Sequence, residues 1–365
     1  MKLALITNYV PDQRPLSQYG YHLAHGLRQC GPQHSLLVLS GRFPVCSEDG
    51  ELRVWRYGRA TIPFEVLNAL RALRPDGIIL NTHFTAWGSN LANLASMFVP
   101  LFARLARCRA ISLVHHLPQT IDSSCVGYRL TPLHRLGIEV ACRAIAHSDV
   151  VCFTTQENLR YFTEHYSPKR SLLVSLGLQG VPSWSPPPAG RVNLLAFGYW
   201  GRAKDPTPLL DSVVRNGLSA HVTIAGGSSH TRPGYIERLR AEYASDRVTF
   251  TGYVPETEVA HLFHSASLVV LPYRENTGAS AVAHQACQFG RAILARRLPV
   301  FEEMQHALGL CMHFYDSPEE LHERLGHLLS RPEQLAEEGL HNYRQVQHLT
   351  MDKVARVYWD LLEHL

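Results

Sequence analysis

Two loops in the second half of the chain carry residue types suited to binding a polar, anionic molecule. The apolar run Leu194-Leu195-Ala196-Phe197 leads into Gly198-Tyr199-Trp200-Gly201-Arg202-Ala203-Lys204. Gly198 and Gly201 permit close backbone approach, and Arg202 and Lys204 supply charge-assisted hydrogen bonds, so the loop suits a diphosphate. A solvated loop with two surface cations has the same composition. The stretch Ala266 to Ala295 has a related layout: an apolar run Leu268–Leu271, then a polar loop from Tyr273 to Gly278. Small residues (Ala279, Ser280, Ala281, Ala283) then open a helix that ends near Gly290. A helix N-terminus placed beyond a strand's carboxyl end favours anionic or strongly polar ligand atoms. Two further strand ends point to the same crevice: Ala225-Gly226-Gly227, and Gly252-Tyr253-Val254 with its exposed backbone and aromatic ring. In the first half, His115 and His116 follow the strand Ile111–Val114, His83 follows Ile78–Thr82, and Ser17 stands where an N-cap could present amides to an anion. A strand-end histidine and a capping serine also have ordinary structural roles.

Those loops require strands to hold them. The first half alternates strand and helix, with strands at 2–8, 35–39, 52–56, 77–82, 110–115, 149–154 and 171–174 and helical patterns at 63–73, 88–107, 131–147 and 156–166. Such spacing argues for a mostly parallel sheet covered on both faces. Gly177 to Gly190 is rich in proline and glycine and has the composition of an interdomain linker. The alternation restarts with strands at 193–198, 221–225, 247–251, 268–271 and 292–295, and the end of the chain is helical. The expected organisation is an N-terminal Rossmann-like domain over 1–180, a linker over 181–191, a second Rossmann-like domain over 192–345 and a final helix over 346–365. Two doubly wound α/β domains leave a cleft between them, and that cleft is the default binding site.

Composition narrows the class. With 365 residues, 45% hydrophobic, 18% charged and a net charge of +4, the chain lacks the basic excess of a nucleic-acid-binding protein. Its eight cysteines form no C-x-x-C pair, which fits reduced thiols and a cytoplasmic setting. The 21 histidines are scattered, and neither they nor an Asp-x-Asp pair suggests a metal site. The N-terminus opens on a strand rather than a signal sequence, and no uncharged apolar run of about 18 residues predicts a membrane span. The segment 90–107 (NLANLASMFVPLFARLAR) is expected as one apolar helix. It could cover the sheet as a core helix or dock peripherally on a membrane surface.

The order of landmarks F-G-Y-loop-Lys, I-A-G-G, V-T-F-T-G-Y-V-P, L-V-V-L-P-Y and F-G-R-A-I-L resembles the nucleotide-sugar-binding domain of a GT-B glycosyltransferase, most closely the retaining family numbered four. The match covers Asn193 to about Glu303 well and the remainder loosely. The resemblance implies a retaining, metal-independent transfer of a sugar from a nucleoside diphosphate to a hydroxyl acceptor (glycan, lipid or small molecule) held mainly by the first domain. It implies that Lys204 contacts the donor diphosphate with Arg202 as partner, and that Gly252-Tyr253-Val254 reads the nucleobase. The family's two glutamates, seven residues apart, fall on Thr277 and Gln285, with Glu275 two residues early. Sugar binding is therefore expected from Glu275 or from the backbone of Thr277, Gly278, Ala279 and Ser280, and ribose binding from Gln285. The loop Arg14 to Tyr19 replaces a glycine-rich loop, which puts Ser17 near the donor phosphates, and His115 and His116 fall where a sugar-contacting histidine and an acidic residue often stand. The implied catalytic residues are His115, His116, Lys204 and Glu275; Gly198, Gly226 and Gly227 join the donor site. The nucleotide (uridine, guanosine or adenosine diphosphate) stays open, no other cofactor is implied, and two other activities fit the departures: a sugar-nucleotide binder without transfer, or a GT-B-type epimerase.

Overall fold

The computed structural model describes every residue except 13, 44–49, 127–129, 189, 191, 230 and 277, and only the backbone of 125 and 126. The N-terminal sheet contains β1 (Lys2–Ile6), β2 (Ser35–Gly41), β3 (Glu51–Trp55), β4 (Gly77–Thr82), β5 (Arg109–Val114), β6 (Val150–Phe153) and β7 (Ser171–Leu173). All its pairings are parallel, in the order β3-β2-β1-β4-β5-β6-β7. Helices α1 (Ser17–Cys30), α2 (Ile62–Leu73), α3 (Asn90–Ser96), α4 (Val99–Leu105), α5 (Ser123–Val126), α6 (Pro132–Ala146) and α7 (Gln156–Tyr166) belong to this half. Because helices cover both faces, the central strands are buried throughout: every residue of β4 is buried, including Asn81 and Thr82 at its carboxyl end.

The second sheet contains β8 (Asn193–Phe197), β9 (His221–Ala225), β10 (Val248–Gly252), β11 (Leu268–Leu271), β12 (Ala292–Arg296) and β13 (Met312–Tyr315), again parallel, in the order β10-β9-β8-β11-β12-β13. Its helices are α8 (Thr207–Leu210), α9 (Tyr235–Glu242), α10 (Glu256–His264), α11 (Ala281–Gln288), α12 (Pro299–Leu308), α13 (Pro318–Leu329) and α14 (Pro332–Val346). Both sheets reverse winding direction beside their first strand, at β1/β4 and at β8/β11. In doubly wound sheets a crevice opens at that point.

Two expectations change. The segment 90–107 is two helices, because Pro100 lies in the first turn of α4. Its ring excludes a helical carbonyl at Ser96 and it lacks the N–H that would continue α3, so the chain breaks at Met97-Phe98. Ala92, Met97, Val99 and Ala103 are buried against the sheet, which leaves Leu91 and Leu105 exposed. Strand β13 was not anticipated from the sequence. Four residues at a sheet edge, two of them only half-buried, give too short a run for periodicity to detect.

The chain crosses between the sheets twice at neighbouring points, where Leu178 N donates to Leu349 O at 2.9 Å. Beyond the second crossing, α15 (Met351–Glu363) packs on α1 and completes the core of the first domain. Trp359 is its anchor: it is 3% exposed, lies over Gly31, and donates from Nε1 to Leu27 O at 3.0 Å. Trp359→Ala is expected to remove this hydrogen bond and open a cavity, at a cost of about 3–5 kcal/mol. A thermal melt followed by tryptophan-independent circular dichroism should show the first transition several degrees lower; an unchanged melt would mean that α15 does not stabilise the first domain.

Candidate active site

The C-terminal wall of the site begins where β8 and β11 part. Their ladder holds only Leu194 opposite Leu268 and Leu195 opposite Val269, and beyond it the two strand ends diverge. The loop after β8 folds into that gap, with Lys204 bridging to Tyr273 and Arg274 N donating to Ala203 O at 2.7 Å. The Lys204 ammonium stands 4.2 Å from the centre of the buried Tyr273 ring. No carboxylate pairs with it among the described residues: the adjacent Asp205 is engaged by Arg274 at 2.6 Å and by the Tyr235 hydroxyl. Burial without an anionic partner pushes the Lys204 pKa down to about 8. A half-buried lysine held over an aromatic face, with no counter-ion among the described residues, has the chemistry to take up an anion.

Glycine makes the approach to that ammonium possible. Gly198 adopts φ +147°, and a Cβ there would point at the Lys204 side chain, 3.8 Å from Nζ. Gly226, at φ +101°, brings β9 against β8 so closely that a Cβ would overlap the Gly198 carbonyl. Its amide donates to Gly252 O at 2.8 Å, which locks the ends of β8, β9 and β10 into one rim. Gly227 faces open space. Tyr199 and Tyr253 are half-exposed on this rim, whereas Val254 is partly buried against the domain core and Arg202 is exposed.

The sugar-loop candidates lie across the gap. Thr277 is outside the described residues. Gly278 has φ +90° and Ser280 caps α11, its Oγ accepting from Ala283 N at 3.2 Å. Asn276, which the sequence reading passed over, donates from Nδ2 to Gly278 O at 2.6 Å and sets the loop. Gln285 is buried in the second turn of α11. His284 was also missed. It donates from Nδ1 to Ser280 O at 2.8 Å, and burial lowers its pKa and keeps it neutral. Its spacing of four residues from the capping serine was the available signal.

In the N-terminal wall the strand ends of β1, β4 and β5 come together. His115 is joined through Nε2 to Asn81 Oδ1 at 2.7 Å, Asn81 Nδ2 donates to Thr7 Oγ1, and Thr7 donates to Asn8 O. The carbonyl acceptor on Asn81 requires the proton on His115 Nε2. Burial, with His83 nearby, drives the His115 pKa down to about 3, and the ring lies edge-on to Tyr19 at 4.6 Å. His116 is also held neutral by burial and by His83 and His115, and stacks at 3.6 Å on His83. Its Nδ1 is buried and makes no hydrogen bond. Ser17 is not the N-cap. Leu16 occupies that position in the left-handed region, and Ser17 opens the helix with a buried, unbonded hydroxyl. Asn and Thr at strand ends (Thr7, Asn8, Asn81) do the positioning that the sequence reading assigned to no residue.

The walls touch. A Cβ on Gly278 would overlap the carbonyl oxygen of His115. Glu275, expected at the sugar, instead accepts from Asp122 N at 2.9 Å and from Asn276 N at 2.8 Å, tying the two domains. Further out, Glu303 accepts from Gln156 N at 2.6 Å at the start of α7, and His22 meets Glu256 at 3.3 Å. The structure thus gathers Lys204, Gly198, Gly278, Ser280, His115 and His116 around one gap and directs the Glu275 carboxylate to the domain contact. Among the described residues no group of three or more His, Cys, Asp or Glu side chains could hold a metal ion.

Comparison with known proteins gives this geometry a context. Residues 196–331 match the family described as Glycosyl transferases group 1. No curated protein matches the chain in sequence. Among solved structures, sucrose-phosphate synthase from Thermosynechococcus elongatus superposes with a TM-score of 0.78 at 16% identity, covering 100% of this chain and 98% of that one. HepE from Anabaena, solved with UDP and glucose, gives a TM-score of 0.74 at 14% identity, with 100% of both chains covered. The lipopolysaccharide outer core galactosyltransferase WaaB gives 0.65 at 13% identity, again over 100% of both chains. At these identities the likeness is one of fold, and it extends over both sheets and the returning helix. Residues 196–331 thus match the glycosyl transferases group 1 model, and the chain as a whole has the GT-B fold.

Proposed function

We propose that this protein transfers a sugar from a nucleoside diphosphate sugar to a hydroxyl acceptor bound mainly by the N-terminal domain, with retention of anomeric configuration. The observation that carries this reading is the unpaired Lys204 ammonium over Tyr273, set at the β8/β11 switch point beside the glycines that admit a diphosphate. Lys204 neutralises the departing diphosphate while the anomeric C–O bond to it breaks. The acceptor oxygen forms its bond to the same carbon from the same face, and its proton passes to a leaving phosphate oxygen. The rate then comes from a prearranged cation and from positioning, not from an enzyme nucleophile. We assign the strand end that carries His115 and His116, with His115 fixed by the His115–Asn81–Thr7 relay, to the side of the gap that meets a sugar or acceptor hydroxyl. The solved HepE structures hold UDP and UDP-glucose, which makes UDP the first donor nucleotide to test.

The test is calorimetric titration of UDP, GDP and ADP as a function of pH. A lysine with a pKa of about 8 in the free protein binds an anion fully protonated below that value. Affinity should therefore be level below pH 8 and fall as pH rises through it, by about tenfold at pH 9 relative to pH 7. Lys204→Arg, which stays charged, should remove the decline. Absence of binding by all three nucleotides, or a flat profile in the wild type, contradicts the diphosphate site.

A further inference from the structure

The two walls meet through carboxylates of one domain and hydrogen-bond donors of the other. Helix α7 follows β6, the strand beside β5, so its N-terminus opens on the carboxyl edge of the first sheet that also carries His115 and His116. Thr155 caps it from its own chain segment, its Oγ1 accepting from Asn158 N at 3.4 Å. The amides of Gln156 and Glu157 are met from the other domain. Glu303 of α12 accepts through Oε1 from Gln156 N at 2.6 Å and through Oε2 from Glu157 N at 3.4 Å. A carboxylate spread over two first-turn amides, at the positive end of an 11-residue helix, makes charge-assisted hydrogen bonds. Here the acid and the helix it caps are 147 residues apart, on opposite sides of the cleft. Parting the walls breaks these bonds and returns both groups to water.

Two more glutamates of the second domain repeat the arrangement. Glu275 accepts from Asp122 N at 2.9 Å, and Glu256 meets His22 at 3.3 Å. The three carboxylates stand beyond the ends of β12, β11 and β10, and so bracket the gap between β8 and β11 on both sides. One group opposes them. Glu157 has its carboxyl pushed up by burial and then by Glu303 and Glu275, with Arg160 acting the other way. Closing the walls therefore crowds three carboxylates at one corner of the cleft. We propose that Glu303 is a positioning residue that sets how closely the walls meet: it caps α7 from across the cleft and holds the strand end of His115 and His116 against the wall of Lys204. The role falls to Glu303 because it bonds two amides of one helix terminus, whereas Glu275 divides its oxygens between Asp122 and its own neighbour Asn276. Its effect on sugar transfer rests on the reading given above; its effect on closure does not.

The experiment is small-angle X-ray scattering of the full chain without nucleotide, at low salt, for wild type, Glu303→Ala, Glu303→Gln and Glu157→Gln. Wild type should fit the closed arrangement. Glu303→Ala should shift the balance towards a more extended particle by about tenfold, the effect of losing a hydrogen bond to a charged group. Glu303→Gln, which keeps an uncharged acceptor, should fall between the two. Glu157→Gln removes the repulsion and should be at least as compact as wild type. A wild type that is already extended, or a Glu303→Ala protein that scatters like wild type, overturns the inference. So does a lower melting temperature in Glu303→Ala with unchanged scattering, which would make the contact a cap for α7 and nothing more. With the nucleotide sugar, Glu303→Ala should lower kcat by about tenfold while nucleoside diphosphate affinity stays within a few-fold, because alignment of the walls is lost and the Lys204 loop is not. An affinity loss as large as the kcat loss would place Glu303 in nucleotide binding instead. Absence of nucleotide binding in the wild type would sink the transferase reading and leave the scattering comparison to decide the closure.

Discussion

Lys204→Ala should lower the rate of sugar transfer by about 10²–10³-fold, equivalent to roughly 3–4 kcal/mol of barrier. The reason is that the ammonium has no carboxylate partner among the described residues: it lies over the Tyr273 ring, so its charge is available to the leaving group. An ordinary surface lysine, paired and solvated, would cost little on removal. Arg202 is exposed on the same loop and should contribute much less, so Arg202→Ala serves as the internal comparison. Initial-rate assays with the nucleotide sugar identified by titration distinguish the two. Equal effects of both substitutions would place the diphosphate away from Lys204.

Gly278→Ala should separate binding from turnover. An added methyl would overlap the His115 carbonyl oxygen, and alanine at φ +90° is strained even before the domains meet. The gap between the walls would be held open by a fraction of an ångström to an ångström, a displacement that costs about 10²-fold in kcat when reacting groups must be aligned. Gly198 and Lys204 stand on the same wall as Gly278 and make no contact with the His115 carbonyl, so nucleoside diphosphate affinity should stay within a few-fold of wild type. Steady-state kinetics and nucleotide titration on the same sample test this. A Gly278→Ala protein with normal kcat would show that the contact with His115 is not part of the working conformation.

The sequence by itself determined the two parallel sheets, the break between them and the strand ends at which polar loops collect. Those features rest on local patterns: apolar runs buried on both faces, glycines where φ is positive, and a Pro-rich linker. The loop with Lys204 and the stretch from Leu268 to Ala295 were legible for the same reason, since each is one strand followed by its own loop. Pro100 was legible too, but the apolar periodicity across 90–107 masked its consequence.

Tertiary structure alone decided which of these groups are free. Glu275 has the right charge and place in the sequence for a sugar ligand, yet it bonds an amide 153 residues away. His115 and His116 are adjacent and chemically identical; the approach of Asn81 from the neighbouring strand bonds one ring, while the other packs on His83. The same holds for α6, whose leucines have the spacing of a core helix and become a surface because no described element covers the first two turns. Periodicity records that a stripe is apolar. Whether anything packs on it depends on contacts between segments far apart in the chain, which no local pattern contains.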